Sequence, residues 1–338
     1  MDMLQLGDQA KKQKGPSKEW TEKEIEEELK KFDQKIEEQK EQAGDVEVRD
    51  AILDKALFLK NEARDYPEAE KVFREAYAKS GGASKKMELL FEIMLMNIEK
   101  FDIDALKKDV NTCKTLVDEG ADWDKKNKLK IFEGVYCMLI RDLQKAASLF
   151  LSSIATFTCV ELMSYRDFVF YAVVTAMVTQ DRKTLRKEVV HSPDILAVIR
   201  DIPFLRQYLD SFYNCDYKAF FEAFVEIIDT VRNDIYLSAH ANYFIKEMRL
   251  VAYRQYLESF KSVTIENMAR SFGVSADFID KELSNFIYIG KINCKIDKVS
   301  GVIETNRPNR KAELFANTVK QSDALLNRVQ KLARALDI

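Results

Sequence analysis

Apolar positions recur at helical intervals along most of this chain. From Glu19 to Gln42 the sequence is densely charged, and Ile25, Leu29, Phe32 and Ile36 step by four, three and four, a narrow apolar seam on one helix. Thr21 and Glu24 have capping-box spacing. Such a helix either docks on its own chain along the seam or packs on a partner. Ala51–Leu59 is helical, Pro67 in Arg64-Asp65-Tyr66-Pro67 suits a helix start, and Ala69, Val72, Phe73, Ala76 and Tyr77 resume the helical period. Two more hairpins are predicted, Lys86–Ile98 with Ile103–Asp118 and Lys128–Ile140 with Leu143–Ala155, set apart by Gly81-Gly82 and Gly120. A repeat of about 35–40 residues matches tetratricopeptide-like helix pairs stacked as a right-handed solenoid, although the full signature of that repeat is absent. Stacked pairs leave a concave binding face rather than a catalytic pocket.

Leu162–Thr179 is apolar and aromatic but carries Arg166 and Asp167, so it reads as a buried helix and not a membrane span. Helices follow over Thr184–Val190, Asp194–Ile199 and Phe204–Tyr213. Tyr217–Val231 is expected to place Phe220, Phe221, Phe224, Val225 and Ile228 on one broad core face, and Asn242–Phe260 is the next helix.

The period changes between Thr264 and Asn306. Ile265, Met268, Ala269 and Phe272 line a helix that Gly273 ends; Ser275 caps a second helix with Phe278, Ile279, Leu283, Phe286 and Ile287 apolar, stopped by Gly290. Ile292, Cys294 and Ile296 then alternate with Asn293 and Lys295 as in a half-buried strand, Asp297–Gly301 turns, and Val302 and Ile303 begin a return strand. Helix, tight turn, helix, hairpin is the order of a winged helix. A last helix, Lys311–Leu336, follows the loop 306–309. Its residues Leu325, Val329, Leu332 and Leu336 step four, three, four, and no later segment is expected to cover them. That seam must fold back or meet another helix, and a partner helix is preferred. The division expected is a flexible leader over 1–18, a charged helix over 19–48, the solenoid over 49–170, further helices over 171–263, the winged helix over 264–306 and the terminal helix over 310–338.

Composition narrows the function. With 10 Gly and 5 Pro in 338 residues, 32% charged and 46% hydrophobic, the chain favours long helices in a soluble fold. A net charge of -3 provides no bulk attraction to nucleic acid or anionic membrane. Residues 1–48 hold 9 Lys against 14 acids, so that arm is acidic. The five Cys (113, 137, 159, 215, 294) are scattered and read as small core residues in a reducing compartment, and the start lacks a signal-peptide core, so the cytoplasm and nucleus are expected. Winged helices often read DNA, but the second helix here carries Asp277, Asp280 and Glu282 against Lys281, and an acidic helix repels phosphate; Lys291, Lys295 and Lys298 on the wing are too few to reverse this. Only His191 and His240 exist, outside any metal-spaced cluster, and no HExxH, CxxC or Walker loop appears, so neither an enzyme nor a cofactor is expected.

Helical repeats, winged helix and terminal helix together resemble the PCI family, scaffold proteins of the proteasome lid, the cullin-deneddylating signalosome and a translation initiation factor. The stretches GADWDKKNKLKIFEGVYCMLIRDLQKAASLF (120–150), RQYLDSFYNCDY (206–217), FGVSADFIDKELSNFI (272–287), CKIDKVSGVIETNRP (294–308) and LLNRVQKLARALDI (325–338) are similar to its proteasome-lid members, with the signalosome and translation-factor members as the alternative. The resemblance implies a non-catalytic scaffold whose winged helix joins neighbours edge to edge. Lys291, Ile292, Asn293, Cys294, Lys295 and Ile296, or Val302 and Ile303 on the return strand, would then offer an unpaired edge. It implies that Leu325, Val329, Leu332 and Leu336 enter a shared bundle of C-terminal helices. The implied partners are other PCI-domain and MPN-domain lid subunits, and the ATPase ring through the solenoid, with neither nucleic acid nor membrane.

Overall fold

The computed structural model describes residues 22–42, 45–202, 204–306 and 310–336. The leader expected over 1–18 and the Thr21 half of the capping box lie outside the described residues. The remainder forms two compact units, one reaching to Arg206 and including Val231–His240, the other made of Gln207–Thr230 and the residues from Ala241 on.

The first unit begins with α1 (Glu22–Gln42), which packs on α2 (Asp45–Phe58). Ile36 is buried, the rings of Phe32 and Phe58 lie 5.5 Å apart, and Lys55 pairs with Asp33 at 2.6 Å, so the narrow seam docks on its own chain. Helix pairs follow in which each helix packs on the next: α3 (Tyr66–Lys79), α4 (Ala83–Lys100), α5 (Ile103–Asp118), α6 (Trp123–Leu139), α7 (Leu143–Ser153) and α8 (Tyr165–Thr179).

One corner explains the repeat. Arg64, Phe101 and Arg141 adopt left-handed φ values of 54°, 57° and 67°, and each is followed by an Asp whose carboxylate accepts a backbone N–H at the start of the next helix. Asp102 N also donates to Asn97 O at 3.0 Å and Asp142 N to Cys137 O at 2.8 Å, satisfying carbonyls at the end of the preceding helix. The second unit contains the same corner at Cys215 (φ 64°) and Asp216, whose side chain accepts from Ala219 N at 3.3 Å. Close packing depends on small residues: Ala69 and Ala76 are fully buried, and a Cβ on Gly134 in α6 would overlap the Phe150 ring of α7. Ion pairs tie successive repeats together, Lys60 with Glu92, Lys125 with Glu88 at 2.5 Å and Lys128 with Glu161 at 2.6 Å. Glu133 accepts from both Lys114 (2.8 Å) and Lys145 (2.6 Å), joining α5, α6 and α7. Phe168 to Met177 of α8 is buried throughout, as its composition predicts. The boundary expected between 170 and 171 therefore falls inside α8, and the one expected between 48 and 49 falls inside α2.

The second unit takes in α9 (Leu205–Asn214) from Gln207 on, most of α10 (Tyr217–Asn233), α11 (Ala241–Glu258) and a winged helix. The core face of α10 is Phe220, Ala223, Phe224 and Ile227, while Phe221 and Ile228 are half-buried. Val225 was expected on that face but is exposed, because each step turns the helix by about 100° and carries the residue after Phe224 away from the core. Phe272 anchors the winged helix, its ring 4.8 Å from that of Tyr217, 5.1 Å from Tyr253 and 5.2 Å from Phe221.

The winged helix consists of β1 (Ser262–Thr264), α12 (Ile265–Phe272), α13 (Ala276–Tyr288), β2 (Cys294–Asp297) and β3 (Val302–Thr305). Gly273 takes φ 68° at the expected corner and the Ser275 hydroxyl accepts from Phe278 N. Ile279, Leu283 and Phe286 are buried, but Phe278 is on the exposed side. β1, which sequence reasoning missed, begins two residues before the expected start of this module; the sheet order is β1-β3-β2, all antiparallel. α14 (Arg310–Leu336) ends the described chain as one 27-residue helix.

Candidate subunit interface

The wing's sheet has one interior strand and two edges. β3 pairs on one side with β1 (Val263↔Ile303) and on the other with β2 (Ile296↔Ile303). Val302 and Ile303 therefore cannot supply a free edge, which corrects one of the two edges expected; Ile303 is fully buried. The free edge on this side of the sheet belongs to β2.

That edge is shorter than expected. Lys291 and Ile292 precede the strand because their backbone serves the end of α13: Gly290 is left-handed (φ 78°), Lys291 N donates to Phe286 O at 2.9 Å, and Lys291 O accepts from Arg254 Nη2 at 2.9 Å. Ile292 packs inward, 5% exposed, and the Lys291 ammonium pairs with Glu247. Asn293 O accepts from Asn306 N at 3.0 Å. In an antiparallel ladder, hydrogen-bonded pairs alternate with non-bonded ones. With 293 and 306 a bonded pair, the register makes Lys295↔Glu304 and Asp297↔Val302 bonded as well, so the N–H and C=O of Cys294 and Ile296 point away from β3. These are the backbone groups available to an added strand.

A shallow depression of about 400 Å³ adjoins this edge, lined by Ile287, Gly290, Ile292, Asn293, Cys294, Lys295 and Asn306. Tyr288 (92% exposed) and Ile289 (63%) stand beside it at the end of α13. Burial raises the Cys294 thiol above its ordinary pKa. The charges expected to decide about nucleic acid are largely used internally: Lys298 pairs with Asp280 at 3.1 Å, and Glu282 pairs with Arg249 at 2.8 Å and accepts from Tyr253 Oη at 3.1 Å.

The second candidate surface is α14. Every side chain described on it is exposed, including Leu325, Val329, Leu332 and Leu336. The apolar stripe is longer and wider than those four. Phe315, Val319 and Leu326 continue it, and the heptad places Phe315, Ser322, Val329 and Leu336 on one line with Val319, Leu326 and Ala333 beside it. Leu325 and Leu332 broaden that seam on one flank. A stripe of this width suits a helix with neighbours on two sides better than a two-stranded coil. The same period, followed back from Leu325, reaches Phe315, and Val319 lies one heptad before Leu326.

Neither histidine sits in a reactive arrangement. His191 receives a bond from Arg186 Nε at 3.3 Å, and His240 Nε2 lies 2.8 Å from Leu139 O. Among the described residues no group of three or more His, Cys, Asp or Glu could hold a metal ion, and no helix is long and apolar enough to cross a membrane.

The chain matches two family models, 26S proteasome subunit RPN7 over residues 17–188 and the PCI domain over 225–307. It is 48% identical over 313 residues to the 26S proteasome non-ATPase regulatory subunit 6 homolog of Arabidopsis thaliana, covering 93% of this chain and 81% of that one. It is 44% identical over 315 residues to the 26S proteasome non-ATPase regulatory subunit 6 of Dictyostelium discoideum, covering 93% and 82%. With the 26S proteasome regulatory subunit RPN7 of Saccharomyces cerevisiae the identity is 34% over 313 residues, covering 91% and 72%.

Proposed function

We propose a scaffold role, on the premise that this chain belongs to the 26S proteasome subunit RPN7 family and carries a PCI domain. The chain is a structural subunit of the proteasome's regulatory-particle lid. It supports lid assembly and thereby ATP-dependent degradation of ubiquitinated proteins. The family match favours this over the signalosome and translation-factor alternative.

The observation that carries the assembly role is α14, a 27-residue helix whose broad apolar stripe has no buried side chain among those described. Leaving Phe315, Val319, Leu325, Leu326, Val329, Leu332 and Leu336 in water is unfavourable, and covering each is worth about 1.5–3 kcal/mol. In this reading Leu325, Val329, Leu332 and Leu336 enter a bundle with helices of other subunits. The β2 edge, from Asn293 to Ile296 with Lys291 and Ile292 beside it, extends the sheet of a neighbouring winged helix. Other PCI-domain and MPN-domain lid subunits are the neighbours, and the solenoid reaches towards the ATPase ring. This chain needs no catalysis or cofactor of its own for that role, which it performs in the cytoplasm and nucleus.

Truncation after Asp323 tests the assembly role. The shortened chain keeps every described buried side chain and is expected to fold yet fail to co-sediment with the particle. Normal co-sedimentation would overturn it.

A further inference from the structure

The edge of β2 carries more information than its being free. Only Cys294 and Ile296 turn backbone groups outward, so an added antiparallel strand must make its hydrogen-bonded pairs there. Lys295 then falls in a non-hydrogen-bonded pair, where cross-strand side chains approach most closely. Its side chain is exposed, on the face opposite the core-facing Cys294 and Ile296. Lys291 and Lys298 are both spent on internal carboxylates, Glu247 and Asp280. Lys295 faces Glu304 across β3 but forms no ion pair with it among the described residues. It is the wing lysine whose charge is left for an incoming strand. On the other face, the incoming residues opposite Cys294 and Ile296 extend the inward side of the strand, where Ile292 and Cys294 are buried, which suits apolar side chains.

We infer that the strand added at β2 has the pattern apolar–acidic–apolar, with its Asp or Glu directly across from Lys295. This rests on the edge-to-edge reading above and adds the partner's chemistry to it. The pattern sets register: sliding by one residue would turn the acid to the face of Cys294 and Ile296 and put apolar side chains against Lys295.

Zero-length carbodiimide coupling of the lid reconstituted with the full chain tests this on the unmodified protein. The expected product joins Lys295 Nζ to an Asp or Glu of a neighbouring chain, with apolar residues on both sides of that acid. Coupling only to Glu304, or none, would overturn the inference. Two variants separate it from its premise. Cys294→Pro removes an outward N–H while keeping the ladder to β3, and is expected to block incorporation beyond Cys294→Ala, which loses the same buried thiol but keeps the N–H. If Cys294→Pro enters the lid normally, the edge reading falls and the inference with it. Lys295→Glu is expected to reduce incorporation about tenfold, with Lys295→Ala in between. If Cys294→Pro blocks entry and Lys295→Glu enters like the parent chain, the edge reading stands and this inference alone fails.

Discussion

Ile303 lies directly across from Ile296, and the two differ in what surrounds them. Ile303 is on the interior strand and fully buried, while Ile296 is on the edge and half-exposed. Truncating Ile303 to Ala should cost about 2–5 kcal/mol, because a buried site loses both transfer energy and packing. Ile296→Ala should cost clearly less. Chemical denaturation of both variants checks this, and equal losses would mean the edge is covered in the free chain.

Gly134 faces the Phe150 ring so closely that no Cβ fits without movement. Gly134→Ala should lose about 1–3 kcal/mol to overpacking, more than the roughly 1 kcal/mol that alanine gains in a helix. Gly81 has open space around it, so Gly81→Ala should be neutral or slightly stabilising. A clear loss for Gly134→Ala and none for Gly81→Ala in thermal unfolding is the expected outcome.

Tyr208 is fully buried against Phe220 and Phe224, with ring distances of 5.2 and 5.8 Å, and its hydroxyl has no hydrogen-bond partner among the described residues. Removing an unsatisfied buried hydroxyl while keeping the ring should leave stability unchanged or raise it by about 1 kcal/mol. Tyr208→Phe measured by urea unfolding tests this; a clear loss would reveal a partner for the hydroxyl.

Glu133 predicts an acid limb. Burial alone would raise its carboxyl, but hydrogen bonds from Lys114 and Lys145 hold it below its ordinary pKa. A carboxyl depressed on folding contributes stability that is present above its unfolded pKa, about 4.3, and lost as the pH falls through its lower folded value. Glu133→Gln should therefore be less stable at pH 7 and flatten the decline of stability below about pH 4. Denaturation midpoints from pH 7 to 2.5 give the comparison.

On α14, Leu325→Ser with Val329→Ser should leave the unfolding midpoint of the free chain unchanged, since both residues are exposed there (65% and 54%). The same variant should lose incorporation into the lid. A lowered midpoint would show instead that the stripe is covered within the chain.

Helix pairs, the winged-helix order, the Gly273 and Ser275 caps and the seam on the last helix were all legible in the sequence, because period and capping are local properties of the chain. The recurring corner was not read from the sequence beyond the break at Arg64–Pro67: Asp102 and Asp142 repeat it, but the left-handed residue before each Asp is Arg or Phe rather than Gly, so no glycine marks the turn. Tertiary structure alone decided the rest. β1 has three residues and exists only because Val263 pairs with Ile303, forty residues later, so no local period reports it. That pairing makes β3 interior and leaves β2 as the edge, which is why Val302 and Ile303 could not be excluded from sequence. Lys295 resembles Lys291 and Lys298 in the sequence, and only the fold places Glu247 and Asp280 beside those two and leaves the third facing outward. Local chemistry determined which elements form; which backbone groups and charges remain unsatisfied depends on long-range pairing, and those groups define the interface.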